Sequence, residues 1–101
     1  MLNDPRNADL AADLLKAIAH PTRLRIVAAL VHGDLHVGGL AEHLGLKQPI
    51  ISQQLKILRL KGLVDVTRAN GLATYRIIEP HLETIVGCMQ RCLLSRQENH
   101  R

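Results

Sequence analysis

The chain of 101 residues has no phenylalanine and no tryptophan, and Tyr75 is its single tyrosine. Its core must therefore be aliphatic, drawn from the Leu, Ile, Val and Ala that dominate the 47% of hydrophobic residues. An aliphatic core in so short a chain is thin, and a second subunit is a common source of further buried area. The length fits one domain over residues 1–101. Long apolar runs are missing too: none approaches the roughly 18–20 residues needed to span a bilayer. The opening MLNDPRNADL has neither the basic region nor the apolar stretch of a signal peptide, which points to the cytoplasm and away from any membrane. Cysteine is nearly absent. Only Cys88 and Cys92 occur, and in a reducing compartment they are not expected to form a structural disulfide. No Gly-rich phosphate loop, H-E-x-x-H helix or nucleophile elbow occurs, and no Ser/His triad is recognisable, so an enzyme is not expected.

What charge there is lies unevenly. Residues 47–76 hold Lys47, Lys56, Arg59, Lys61, Arg68 and Arg76 against Asp65 alone, although the net charge of the whole chain is only +4. A local basic excess of this kind is the electrostatic footprint of a polyanion partner. By itself it is equally compatible with an ordinary solvated surface.

The organisation is legible from periodicity and breakers. Leu10, Leu14, Leu15 and Ile18 have helical spacing, and the His20-Pro21 step ends that segment, because a residue before proline disfavours the α region. Pro21 then opens a second helix carrying Leu24, Ile26, Val27, Leu30 and Val31, which stops near Gly33-Asp34. A short third helix is expected around Val37–Leu44, closed by Gly45. A fourth is expected from about Gln48 to Lys61, closed by Gly62. The period then changes. LVDVTRA (63–69) and LATYRII (72–78) alternate as strands and flank Asn70-Gly71, the pair that best satisfies a tight hairpin turn with two positive φ angles. A final helix is expected from about Pro80 to Gln97. The fold class is mainly α with a small β-hairpin, in the order α-α-α-α-β-β-α.

The fourth helix carries the functional signal. At 100° per residue Ile51, Leu55 and Leu58 share one face, while Pro49, Ser52, Gln53 and Lys56 cluster opposite, with Arg59 at the border. Two helices joined by a tight Gly-containing turn, the second presenting polar side chains from its N-terminal half, make a helix-turn-helix. Gln and Ser can hydrogen-bond base edges without adding charge, whereas Lys and Arg hold phosphates and add affinity without sequence information. Lys47, Gln48, Pro49, Ser52, Gln53, Gln54, Lys56 and Arg59 are the candidate DNA contacts of this helix. Arg68, Asn70 and Arg76 are those of the hairpin, the wing. An unremarkable surface helix would explain the polar face alone. It does not explain the glycine turn, the Asn-Gly hairpin and the local charge together. A winged helix used only for protein–protein contact is disfavoured by Arg68 and Arg76 beside the Gln/Ser face.

Over nearly its whole length the chain resembles the ArsR/SmtB family of winged helix-turn-helix repressors. The resemblance rests on LLKAIAHPTRLRIVAAL (14–30), LAEHLGLKQPIISQQLKILRLKGLV (40–64) and the TYRI (74–77) that ends the wing. It implies a homodimer formed by the first and last helices, bound to a double-stranded operator and released by an inducer, usually a metal ion or metalloid. Two positions depart from the family pattern: Lys47 stands where a capping Ser is usual, and Gln54 where His is usual.

The inducer site is less defined. The family's thiolate box is replaced here by HVGGL (36–40), with His36 at the place of the first thiolate. The family's zinc site across the last helices matches Glu79, His81, Cys92 and Ser95, of which serine is a poor ligand. A third candidate uses the two thiols alone. Cys88 and Cys92 lie one helical turn apart at the edge of a stripe formed by Leu82, Ile85, Val86, Met89 and Leu93. There they can chelate a soft ion whose third ligand comes from the partner chain or the N-terminus, or answer a redox or sulfur signal. They can equally be small apolar residues packed at an interface.

Overall fold

Asp4 opens the first helix, its carboxylate accepting from the backbone N–H of Arg6 (2.9 Å) and Asn7 (3.4 Å). The computed structural model describes residues 1–99, and this helix, α1, covers Pro5–Ile18. A histidine takes the same part at the next helix. His20 Nδ1 accepts from the N–H of Thr22 (3.1 Å) and Arg23 (3.4 Å), and α2 runs from Pro21 to Val31. Strand β1 (Leu35–His36), α3 (Val37–Leu44), α4 (Gln48–Leu60), strands β2 (Val64–Ala69) and β3 (Leu72–Ile77), and α5 (Leu82–Asn99) follow.

The sheet has three strands in the order β1-β3-β2, one more than the expected hairpin. Leu35 pairs with Tyr75 and His36 with Thr74. Two residues are too few to show alternation, so the sequence pattern is silent on this strand. It fastens the middle of β3 to the start of α3. The hairpin itself has the expected turn, Asn70 and Gly71 both taking positive φ (53° and 76°). The last helix begins at Leu82, later than Pro80, because residues 80–81 form a turn in which the Leu82 N–H bonds the Glu79 carbonyl at 3.2 Å.

The core gathers Ile26 and Val27 of α2, Leu40 of α3, Ile51, Leu55 and Leu58 of α4, Leu63, and Val64 at the start of β2. Fully buried aliphatic side chains each contribute roughly 1.5–3 kcal/mol of transfer free energy. The α4 triplet therefore fixes which side of that helix faces inward. The stripe expected along α5 is divided. Leu82 and Val86 belong to the core, whereas Met89 and Leu93 are 45% and 55% exposed. On α1, Ile18 is buried, but Leu10 and Leu15 are 65% and 51% exposed. Among the described residues no helix is long and apolar enough to cross a membrane.

Candidate nucleic-acid interface

The turn between α3 and α4 is built around Gly45, whose φ of 67° lies in the left-handed region. Its N–H and that of Leu46 both bond the Ala41 carbonyl, closing α3. Arg25, reaching over from α2, donates from Nη2 to the Leu44 carbonyl at 2.7 Å and caps the same helix end with a positive charge, where the helix dipole favours one. At the other end of α3, His36 Nδ1 accepts from the Gly39 N–H at 2.9 Å. The imidazole lies over Gly38, where an added Cβ would stand 3.2 Å from the ring. The histidine at the place of a family thiolate thus has a structural task.

Lys47 caps α4 without any side-chain bond, as a lysine must. The helix tolerates this because Pro49 in its first turn has no N–H to satisfy, and the Ile50 N–H reaches the Lys47 carbonyl at 3.1 Å. From this start α4 turns Lys47, Gln48, Pro49, Ser52, Gln53 and Lys56 outward, all exposed, while Ile51, Leu55 and Leu58 face the core. Ile50 is also outward, 41% exposed beside the Gln and Ser side chains. Sequence reading had no reason to single it out, since an isoleucine next to a buried isoleucine reads as core. An apolar side chain at that place can meet a thymine methyl group.

Gln54 departs from the expected DNA face. It is half-buried, and its Oε1 accepts from Arg23 Nη1 at 3.0 Å, so the amide is turned back toward α2. The helical angle explains this, because Gln54 lies nearer the buried triplet than Gln53 does.

The wing is tied to α4 by Arg59, whose Nε stands 3.4 Å from Asp65 Oδ1. Asp65 pairs in register with Arg76, and Arg76 Nη1 donates to Thr67 Oγ1 at 2.6 Å. Arg59 and Arg76 are thus held in place, yet both are exposed, and Arg68 and Asn70 project at the exposed far end of the hairpin. Exposed pairs of this kind are weak, roughly 0–1 kcal/mol, and a phosphate can compete for either guanidinium. The surface combines an outward helix face bordered by Arg59 with a wing bearing Arg68 and Arg76.

The candidate inducer residues lie elsewhere, beyond the wing and on α5. His81 Nδ1 and Glu79 Oε1 are 2.9 Å apart. Cys88 and Cys92 are free and exposed, and Arg91 Nη2 lies 3.4 Å from Cys88 Sγ. Among the described residues no three His, Cys, Asp or Glu side chains come together as a metal site. Among the described residues of one copy, neither the Glu79/His81/Cys92 set nor the thiol pair is completed.

A family model described as "Bacterial regulatory protein, arsR family" matches residues 20–66. The chain is 38% identical over 84 residues to the biofilm growth-associated repressor of Xylella fastidiosa (strain Temecula1 / ATCC 700964), covering 83% of this chain and 74% of that one. Its structure is similar to that of the transcriptional repressor BigR from Xylella fastidiosa, with a TM-score of 0.82, 37% identity, and coverage of 86% and 89% of the two chains. It is also similar to the AntR antimony-specific transcriptional repressor, with a TM-score of 0.85, 30% identity, and coverage of 98% and 89%.

Proposed function

Because this chain belongs to the arsR family of bacterial regulatory proteins, we propose that it is a repressor that binds double-stranded operator DNA as a homodimer in the cytoplasm, without enzymatic activity. One observation carries the reading most: α4 directs Ser52 and Gln53 of its N-terminal half, and Lys56 just beyond, outward from a helix whose opposite face is fully buried. Such a helix enters the major groove with its amides on base edges, Lys47 and Lys56 on phosphates, and the wing's Arg68 and Arg76 on the flanking backbone. Selection of duplexes from a randomised library tests it. An inverted repeat with half-sites about one helical turn apart, or a small multiple, is the expected product. On that duplex Gln53→Ala should cost about 1–3 kcal/mol of preference over scrambled DNA. Lys56→Ala should weaken both alike. An unenriched library, or an unchanged preference in Gln53→Ala, contradicts the reading face.

Release from the operator is assigned to the thiols. Cys88 and Cys92 are soft donors one turn apart on a helix whose exposed Met89 and Leu93 suit a subunit contact, and a relative is named for antimony. Two thiolates fit a soft metal or metalloid ion, with the remaining donor drawn from the second copy. Bound there, such an ion would supply a crosslink between helices, while the chain's own contribution is the pair of thiolates and the spacing that α5 gives them. A second route is zinc at Glu79 and His81, which already touch, joined by Cys92.

A further inference from the structure

We propose that Arg23 and Gln54 form a brace that sets the angle of the recognition helix against α1, making Gln54 a positioning residue and not a reader of bases. The inference rests on the repressor reading and adds to it a route between the helix that reads DNA and a helix of the proposed subunit contact.

Arg23 stands in the first turn of α2, half-buried, and its guanidinium makes three hydrogen bonds to two other helices. Nε donates to the Ala17 carbonyl at 2.6 Å, Nη2 to the Lys16 carbonyl at 3.4 Å, and Nη1 to Gln54 Oε1 at 3.0 Å. Lys16 and Ala17 lie in the last turn of α1, where carbonyls lack partners within the helix and carry the negative end of its dipole. One cation thus caps α1 and in the same plane grips the middle of α4. Charge-assisted bonds are the strong ones, and the planar guanidinium fixes direction as lysine does not. Aliphatic packing of Ile51, Leu55 and Leu58 fixes which face of α4 is inward, but it is non-directional and supplies no fixed direction between α4 and α1. The Arg23–Gln54 bond supplies that direction. A second link, Lys61 Nζ to Asp13 Oδ1 at 3.3 Å, joins the end of α4 to α1, but it is exposed and weak. A shift of α1 at the proposed subunit contact would therefore reach the reading face chiefly through Arg23.

The test uses Gln54→Met, which keeps the length but has no acceptor, and Gln54→Glu, which keeps the acceptor and adds charge. Each is assayed with Arg23→Met and the double variant on the selected duplex. Gln54→Met should lower operator affinity about 10- to 100-fold, the worth of a hydrogen bond to a charged group, with the same base preferred at every position. Arg23→Met, which also loses its bonds to α1, should lower affinity at least as much, the double variant should be no worse than Arg23→Met, and Gln54→Glu should bind better than Gln54→Met. A changed base preference in Gln54→Met, or Gln54→Glu binding worse than Gln54→Met, marks Gln54 as a DNA contact and overturns the brace. So does wild-type affinity in Gln54→Met. Thermal or denaturant unfolding of wild type, Gln54→Met, Arg23→Met and their double variant gives a double-mutant cycle independent of DNA. A coupling below about twofold in the unfolding equilibrium overturns the brace by itself. Wild-type protein that selects no duplex would instead refute the repressor reading, with the brace still judged by the cycle.

Discussion

At the scale of single residues, the side chains divide into those spent on the fold and those left free. His20 and His36 cap helices, Arg25 caps α3, and Arg23 joins two helices, so four residues that invite a functional reading are structural or positional. None of this is visible in sequence, because a cap depends on which nitrogen a ring turns toward the backbone and a brace on a contact 31 positions away. The outward Ser52, Gln53 and Lys56 were legible, since a helical angle is a local property. Cys88 and Cys92 are on the free side of this division, exposed and one turn apart. A double variant, Cys88→Ser with Cys92→Ser, should bind operator like wild type and lose its release by Cd(II), As(III) or a persulfide donor. Allosteric couplings are typically about 1–3 kcal/mol, so the lost response should be roughly 5- to 150-fold in operator affinity. Protons compete with the ion for thiolates, so the wild-type response should weaken as pH falls. Release of the double variant by the same inducer to the same extent would reduce the thiols to surface residues and move attention to Glu79, His81 and zinc.

At the scale of elements, periodicity and breakers carried most of the information. Val37–Leu44 was readable to the residue because Gly45 closes it, and the hairpin was readable because Asn70-Gly71 admits little else. Strand β1 was not, being only Leu35–His36 and defined by its partner Tyr75–Thr74. Nor was the division of α5, where one apolar stripe turns out to serve two surfaces. Leu82 and Val86 fill the core, and Met89, Leu93 and Leu94 remain exposed, as do Leu10 and Leu15 of α1. These exposed residues on the first and last helices are the expected subunit contact. Met89→Asp with Leu93→Asp should therefore yield a folded monomer with helix content like wild type but without tight operator binding. Leu82→Asp would not make that test, because it buries a charge in the core and unfolds the chain. Sedimentation of wild type as a monomer at micromolar concentration would contradict the assignment of these faces.

At the scale of the whole molecule, the charge is local and not global. A net charge of +4 is modest, yet Lys47, Lys56, Arg59, Arg68 and Arg76 all lie on α4, its lysine cap or the wing. A copy of the chain offers one short reading helix and one wing, too little contact for tight and selective binding alone. In the proposed dimer two copies double both terms, and a contact through α1 and α5 would set their separation. Phosphate neutralisation releases counterions, so affinity should fall steeply and log-linearly with salt, with a slope near −0.9 per phosphate contact on B-DNA. Base reading leaves a residual preference that salt does not erase. The most direct measurement is the affinity of the wild-type protein for its selected duplex and for a scrambled one across salt concentrations, with the stoichiometry determined in the same series. Two protomers per duplex, parallel steep slopes of several contacts, and a constant gap between the two duplexes are the predicted result. A shallow slope, or two lines that coincide, would contradict a sequence-reading repressor.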